Sequence, residues 1–116
     1  MKILLVDDDK ENRRALLRRL EDGGHEVVTA NSKSQGLGYL QHWQPELVIV
    51  DLDMGAGNDG LKLIEEANQP RSKTKFWLVS SGMTEEISAE AKRLGAQQAI
   101  SKSSLIMLLK EMGFIA

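Results

Sequence analysis

Five polar side chains of this sequence could act together, because each lies at or just beyond the end of a short apolar run. They are Asp7 and Asp8 after Ile3–Val6, Asp51 after Leu47–Val50, Ser80 after Phe76–Val79, and Lys102 after Ala99-Ile100. Three carboxylates and one ammonium leave a net negative charge, and carboxylate oxygens are ligands that suit Mg²⁺. A carboxylate oxygen beside such an ion can attack a phosphoryl group, and lysine and serine side chains can bind the transferred oxygens.

The apolar runs that precede these residues have the length of β-strands and alternate with segments of helical period. Uninterrupted apolar runs are typical of parallel strands that are buried on both faces. The predicted strands are Ile3–Val6, Val27–Ala30, Leu47–Val50, Phe76–Val79 and Ala99-Ile100.

Capping residues and breakers predict one helix after each strand. The predicted N-caps are Asp9, Asn31 or Ser32, Thr84, and Ser103 or Ser104, and the third helix is expected from Leu61, after the loop Gly55–Gly60. The predicted ends lie at Gly23-Gly24, before Pro45, at Gln69-Pro70, at Gly95 and at Gly113.

Five β-α units in a row predict an α/β fold with a flavodoxin-like, doubly wound, five-stranded parallel sheet and helices on both faces. The expected strand order is 2-1-3-4-5, in which strands one and three flank the switch point where ligands bind. The polar residues at the strand ends should then meet in one crevice. The length of 116 residues predicts a single domain over residues 1–116.

Composition excludes several classes of protein. The chain has no cysteine, which excludes disulfides and thiolate metal sites and is compatible with the cytoplasm. The formal net charge of −2 argues against direct nucleic-acid binding, and no apolar stretch is long enough to span a membrane. His25 and His42 are expected at the surface, and Trp43 and Trp77 are expected to pack in the core.

The pattern resembles the response-regulator receiver family along essentially the whole chain. The residues that carry the resemblance are Leu5-Val6-Asp7-Asp8-Asp9, Asp51-Leu52-Asp53-Met54 with Asp59-Gly60, Ser80-Ser81, and Gly95-Ala96 followed by Lys102. The resemblance implies a two-component or phosphorelay module. A histidine kinase or histidine phosphotransfer protein would donate the phosphoryl group, and the module would catalyse only its own phosphorylation and dephosphorylation.

The resemblance also implies a role for each site residue. Asp51 would be phosphorylated, and this would shift the domain between inactive and active conformations. Mg²⁺ would be bound by carboxylates of Asp8 and Asp51, by the backbone carbonyl of Asp53, and by Asp7 through a water. Lys102 would pair with the acidic pocket and then with the phosphoryl group. Ser80 would be the switch hydroxyl, with Ser81 as a neighbouring candidate.

Several residues depart from the family pattern. Gly55 follows Met54 where the family often has proline, and the loop is one residue longer, which predicts a looser loop. Ser103 replaces the usual cis-proline after Lys102, so this bond is either trans or strained. Ala99 replaces the aromatic switch residue, so the usual relay from Ser80 to a ring cannot operate.

The predicted last helix is apolar on more than one side. Leu105, Leu108, Leu109 and Met112 form a predicted core stripe, Ile106 and Met107 lie beside it, and Phe114-Ile115 follow as an apolar tail. This C-terminal face is interpreted either as tight burial or as a surface for a partner or a homodimer. The output partner is unknown and could be a covalently linked domain, since the chain could act alone or belong to a larger regulator or hybrid kinase.

Two other functions compete with this interpretation. A phosphorylation-independent pseudo-receiver would act as a protein-interaction module; Ala99 and Ser103 favour it, while the intact set of Asp8, Asp51 and Lys102 argues against it. A flavodoxin-like cofactor binder would need a phosphate loop after the first strand, where acidic residues would repel a phosphate.

Overall fold

The computed structural model describes residues 1–55, 57–68 and 72–116. Five parallel strands form one sheet in the order β2-β1-β3-β4-β5, which confirms the predicted fold and strand order. The strands are β1 (Lys2–Val6), β2 (Glu26–Ala30), β3 (Leu47–Asp51), β4 (Lys75–Ser80) and β5 (Gln98–Ser101). Strands β1 and β3 are neighbours, so their carboxyl ends meet at the switch point of the sheet.

Each strand is followed by a helix, and the helices cover both faces of the sheet. They are α1 (Lys10–Asp22), α2 (Lys33–His42), α3 (Asp59–Ala67), α4 (Glu85–Arg93) and α5 (Lys102–Glu111). Side chains that alternate along the strands enter two separate cores, one beneath α1 and α5 and the other beneath α2, α3 and α4. In the part of the chain that the structure describes, no helix is long and apolar enough to cross a membrane.

Most helix boundaries follow the predicted caps. The side chain of Asp9 accepts hydrogen bonds from the backbone N–H groups of Glu11 and Asn12, and Ser32, rather than Asn31, caps α2. Thr84 caps α4 as predicted. The predicted break at Gln69-Pro70 lies outside the described residues.

Two helices begin earlier than predicted. Helix α3 begins at Asp59 instead of Leu61. Helix α5 begins at Lys102, not at Leu105, because Ser101 has the extended backbone of an N-cap and the helix starts immediately after β5. Lys102 therefore lies in the first turn of a helix. Its bond to Ser103 is trans, since the described residues contain no cis peptide bond.

The C-terminal segment corrects two further predictions. Met112 is 45% exposed and lies outside the core, which is formed here by Leu105, Leu109 and Ile115. His25 is half-buried instead of lying at the surface, because its Nε2 lies 2.9 Å from the backbone oxygen of Phe114. The ring of Phe114 stacks on Trp77 at a centroid distance of 5.7 Å. His42 is exposed, and Trp43 and Trp77 pack in the cores, as predicted.

Candidate functional site

The carboxyl ends of β1 and β3 bring three acids together. Asp51 is the last residue of β3, and Asp7 and Asp8 directly follow β1, whose Val6 pairs with Val50 in the sheet. One carboxylate oxygen from each of the three acids lies within 4.8 Å of the others. Asp7 and Asp51 are buried, and Asp8 is exposed to solvent. We call this group of three acids the acidic pocket.

Both oxygens of the Asp51 carboxylate are engaged. The Lys102 ammonium donates to Oδ2 at 3.0 Å, and the backbone N–H of Asp53 donates to Oδ1 at 3.1 Å. The side chain of Asp51 is only 4% exposed, so this ion pair is shielded from water on the Asp51 side. The carboxylate is therefore fixed in orientation while its charge is partly neutralised.

The charged form of the Asp7 carboxyl is disfavoured by its surroundings. Burial, which leaves Asp7 only 8% exposed, raises the pKa of its carboxyl to about 6. A hydrogen bond from the backbone N–H of Asp9, 2.9 Å from Oδ1, opposes the rise, as does the charge of Lys102. The charge of Asp51 adds to the rise. Two buried acids in one pocket thus need a cation between them.

Lys102 supplies a positive charge that pairs with an acid of the pocket. Its burial opposes the charged form, but the hydrogen bond and the charge of Asp51 outweigh burial and raise the pKa of the ammonium above its ordinary value. Asp7 and Asp53 contribute smaller attractions in the same direction. The ammonium reaches the acidic pocket from the first turn of α5, which begins where β5 ends.

Ser80 ends β4 beside this pocket and is only 1% exposed. Its hydroxyl oxygen accepts a hydrogen bond from the backbone N–H of Gly82 and donates to Oδ2 of Asp53, both at 3.0 Å. Ser81, the neighbouring candidate, is exposed. The contact between Ser80 and the Asp53 side chain was missed by the sequence reasoning, which assigned a role only to the Asp53 carbonyl. The signal available was a fourth acid, two residues after Asp51.

The loop after Asp53 is held by its first residues. Met54 is buried in the core beneath α2, α3 and α4, and its carbonyl accepts from the N–H of Gly57 at 3.1 Å. Gly55 adopts a φ of +53°, a conformation that favours glycine, and an added Cβ would lie 2.5 Å from a carboxylate oxygen of Asp59. Met54 and Gly55 therefore form a turn that is closed by a hydrogen bond. The looser loop predicted from Gly55 stays a prediction, and Ala56 lies outside the described residues.

Gly60 allows α3 to approach the acidic pocket closely. An added Cβ at Gly60 would lie 2.5 Å from the backbone oxygen of Asp51 and 2.7 Å from Cα of Leu52. Such contacts are too close for a side chain, so only glycine lets the start of α3 rest on this stretch of backbone. Ala99, at the position of the usual aromatic switch residue, lies half-buried on β5 against the core beneath α2, α3 and α4.

Solved structures share this fold. A response regulator receiver domain protein (CheY-like) from Methanospirillum hungatei JF-1 superimposes with a TM-score of 0.84 and 27% identity, covering 97% of this chain and 92% of that one. A response regulator protein from Burkholderia pseudomallei with a phosphorylated aspartic acid, a calcium ion and citrate gives a TM-score of 0.83 over 93% of this chain and 64% of that one. At 24% sequence identity, this likeness shows that the two proteins share a fold.

Sequence comparison assigns the family. The model of the response regulator receiver domain matches residues 3–112. The sensory/regulatory protein RpfC of Xanthomonas campestris pv. campestris (strain 8004) is 30% identical over 109 residues. This match takes in 90% of the chain, which spans 15% of the length of that relative. With its five-stranded parallel sheet and the acids that meet at the switch point, the chain belongs to the response regulator receiver domain family.

Proposed function

We propose that residues 1–116 form one receiver domain that accepts a phosphoryl group on Asp51 in a Mg²⁺-dependent reaction. The observation that carries the proposal is the position of Asp51, which is buried at the end of β3, shares the acidic pocket with Asp7 and Asp8, and is paired with Lys102 at 3.0 Å. This arrangement supplies a nucleophilic oxygen, further acids for a metal ion, and a cation for the transferred group.

The donor set of the acidic pocket fits Mg²⁺. Its ligand atoms are carboxylate oxygens within 4.8 Å of one another, and Mg²⁺ is bound by oxygen in proteins, usually through one or two carboxylates and several waters. Asp8 and Asp51 would bind through their carboxylates, Asp53 through its backbone carbonyl, and Asp7 mainly through a water. When bound, the ion screens the charge of Asp51 from the incoming phosphoryl group.

The residues of the site would have separate roles in phosphoryl transfer. An oxygen of Asp51 forms a bond to the phosphorus of a phosphohistidine while the P–N bond breaks, and the released imidazole nitrogen takes up a proton from solvent. Lys102, held in its charged form by its raised pKa, would move from pairing with Asp51 to pairing with the phosphoryl oxygens. The hydroxyl of Ser80 would donate its hydrogen to the same oxygens and so report phosphorylation to the rest of the fold.

The partners follow from this role. The donor would be a histidine kinase or a histidine phosphotransfer protein, and the domain would catalyse only its own phosphorylation and dephosphorylation. The output partner could be a separate protein or a covalently linked domain, and a homodimer through the C-terminal face stays a prediction. A cytoplasmic site of action fits the absence of cysteine.

Output must take a route that does not depend on an aromatic side chain on β5, because Ala99 stands at that position. The two candidate routes are the loop after Asp51 and the altered C-terminal face. Amide exchange and solution size, measured with and without a phosphoryl mimic, test this. No change in either region would contradict it. A phosphorylation-independent pseudo-receiver is not favoured, because Asp8, Asp51 and Lys102 are all kept.

The decisive experiment is incubation with Mg²⁺ and a small acyl phosphate, followed by intact-mass measurement. The wild-type protein should gain the mass of one phosphoryl group, and Asp51→Asn should gain none. Asp9→Asn is a matched control, because Asp9 lies next to the pocket but outside the cluster, and asparagine also caps helices. Absence of Mg²⁺-dependent modification in the wild type, or equal modification of Asp51→Asn, would refute the proposal.

A further inference from the structure

The hydroxyl of Ser80 is held from two sides in the unphosphorylated domain. It accepts a hydrogen bond from the N–H of Gly82 and donates its own hydrogen to Oδ2 of Asp53, each at 3.0 Å. Ser80 is only 1% exposed, so water does not readily replace either partner. The rotamer of Ser80 is therefore fixed by a specific acceptor, the Asp53 carboxylate.

A serine hydroxyl has a single hydrogen to donate. In this structure that hydrogen is committed to Asp53, whereas in the phosphorylated domain the phosphoryl oxygens on Asp51 would need it. The two acceptors cannot both be satisfied by a full hydrogen bond from Ser80. Binding of the switch hydroxyl to the phosphoryl group must therefore break the contact between Ser80 and Asp53.

Asp53 is tied to the acceptor residue as well. Its backbone N–H donates to Oδ1 of Asp51 at 3.1 Å, while its side chain accepts from Ser80. The same residue thus contacts both the residue that is to be phosphorylated and the residue that is to respond. A change in the charge or bonding of Asp51 is transmitted directly to the backbone that carries the Asp53 carboxylate.

We propose that the Asp53 side chain is a positioning residue that holds the Ser80 hydroxyl in the resting state and competes for it with the phosphoryl group. This inference rests on the proposed function of Asp51. It assigns the Asp53 carboxylate a role separate from that of its backbone carbonyl. The contact raises the threshold for switching, so its loss should favour binding of a phosphoryl mimic.

The charge of Asp53 has to be separated from its hydrogen bond, because a carboxylate near the pocket also repels a phosphoryl group. Asp53→Ala and Asp53→Asn both remove the charge, but only asparagine keeps an oxygen that can accept from Ser80. The comparison between these two variants therefore isolates the hydrogen bond. Replacement of Ser80 by alanine removes the donor and provides the second arm of a double-mutant cycle.

The probe is beryllofluoride at saturating Mg²⁺, with its dissociation constant measured by calorimetry or tryptophan fluorescence. With Ser80 present, Asp53→Ala should bind about fivefold more tightly than Asp53→Asn, which equals about 1 kcal/mol at about 1.4 kcal/mol per tenfold. In the Ser80→Ala background the two variants should bind equally. Equal binding in both backgrounds, or a difference that persists without Ser80, would overturn the inference.

Amide exchange at Gly82 gives a second measurement that does not need the Ser80→Ala protein. In Asp53→Ala the Ser80 hydroxyl loses its acceptor and should be free to rotate, which should speed exchange of the Gly82 amide. In Asp53→Asn an acceptor remains, so exchange should not change. Equal exchange in the two variants would count against the inference. Failure of the proposed function looks different. In that case the wild type binds no beryllofluoride, or Asp51→Asn binds it equally well.

Discussion

The buried charge of Asp7 should make the metal-free domain less stable at neutral pH than in mild acid. The carboxyl of Asp7 has a pKa of about 6 in the folded domain against an ordinary value of 3.8. Between these two pH values the folded state binds more protons than the unfolded state, so stability falls as pH rises through this window and levels off above it. Asp7→Asn should remove this dependence.

The size of the effect follows from the shift. The rise in the pKa of Asp7 from 3.8 to about 6 lowers the free energy of unfolding by about 3 kcal/mol at pH 7.5, at about 1.4 kcal/mol per pKa unit. At pH 4.5 the wild type has recovered most of this loss, so the penalty falls to about 1 kcal/mol. The advantage of Asp7→Asn over the wild type should therefore grow by about 2 kcal/mol between pH 4.5 and pH 7.5. Asparagine is a conservative choice, because its oxygen can still accept from the N–H of Asp9.

The assay is urea unfolding in the presence of a chelator at several pH values from 4.5 to 7.5, so that no divalent ion compensates the charge. Asp22→Asn is the matched control, because Asp22 lies exposed at the end of α1 and far along the chain from the pocket. Its stability should follow that of the wild type. Adding Mg²⁺ at pH 7.5 should stabilise the wild type more than Asp7→Asn. Parallel pH profiles of the wild type and Asp7→Asn without metal would show that the buried charge of Asp7 does not destabilise the fold.

Three further substitutions, two of them compared with a control substitution, test other parts of the fold by urea unfolding. Lys102→Met should lower the free energy of unfolding by about 2 kcal/mol at pH 7.5, because it leaves a buried carboxylate without its cation; no loss would contradict the ion pair. Gly60→Ala should lower the free energy of unfolding by about 2 kcal/mol, because its Cβ would clash with the backbone of Asp51 and Leu52. Its control is Gly38→Ala, an exposed helical glycine with open space around it, which should raise the free energy of unfolding by about 0.5–1 kcal/mol. Phe114→Ala should lower the free energy of unfolding by about 2–3 kcal/mol, because it removes the ring that stacks on Trp77. Its control is Met112→Ala at an exposed position, which should change the free energy of unfolding by less than about 0.5 kcal/mol.

The order of apolar runs was sufficient to predict the fold. A buried parallel strand needs an uninterrupted apolar run, and Ile3–Val6 and Leu47–Val50 have one. Connection by helices then leaves few possible topologies. Once β1 and β3 are neighbours, the acids that follow them must meet, which is why Asp7, Asp8 and Asp51 could be placed together from the sequence.

The features that the sequence did not reveal depend on contacts between distant segments. The start of α5 was expected near Leu105 because Ser103 and Ser104 are good caps, but pairing of Ser101 with Ser80 fixes the backbone and starts the helix at Lys102. Helix propensity depends only on nearby residues, so it cannot predict the effect of this pairing.

The C-terminal end shows the same limit. His25 looked like a surface residue because its partner, the carbonyl of Phe114, lies 89 residues away. Met112 fits the helical period of the core stripe, but the chain turns at Gly113, where φ is +80°. Ile115 is buried in the core there, while Met112 stays exposed.

The side chains that follow or end β1, β3 and β4 are oriented by the same type of hydrogen-bonded turn, which explains how the site is organised. Asp7, Asp51 and Ser80 each accept a hydrogen bond from the backbone N–H two residues further along the chain. Each of these three side chains is thus oriented by its own turn in the unphosphorylated domain. The ammonium of Lys102 and the carboxylate of Asp53 reach the site from side chains without such a turn, and each contacts one of the fixed groups. Rearrangement on phosphorylation should therefore begin with these two side chains, while the backbone at the strand ends keeps its geometry.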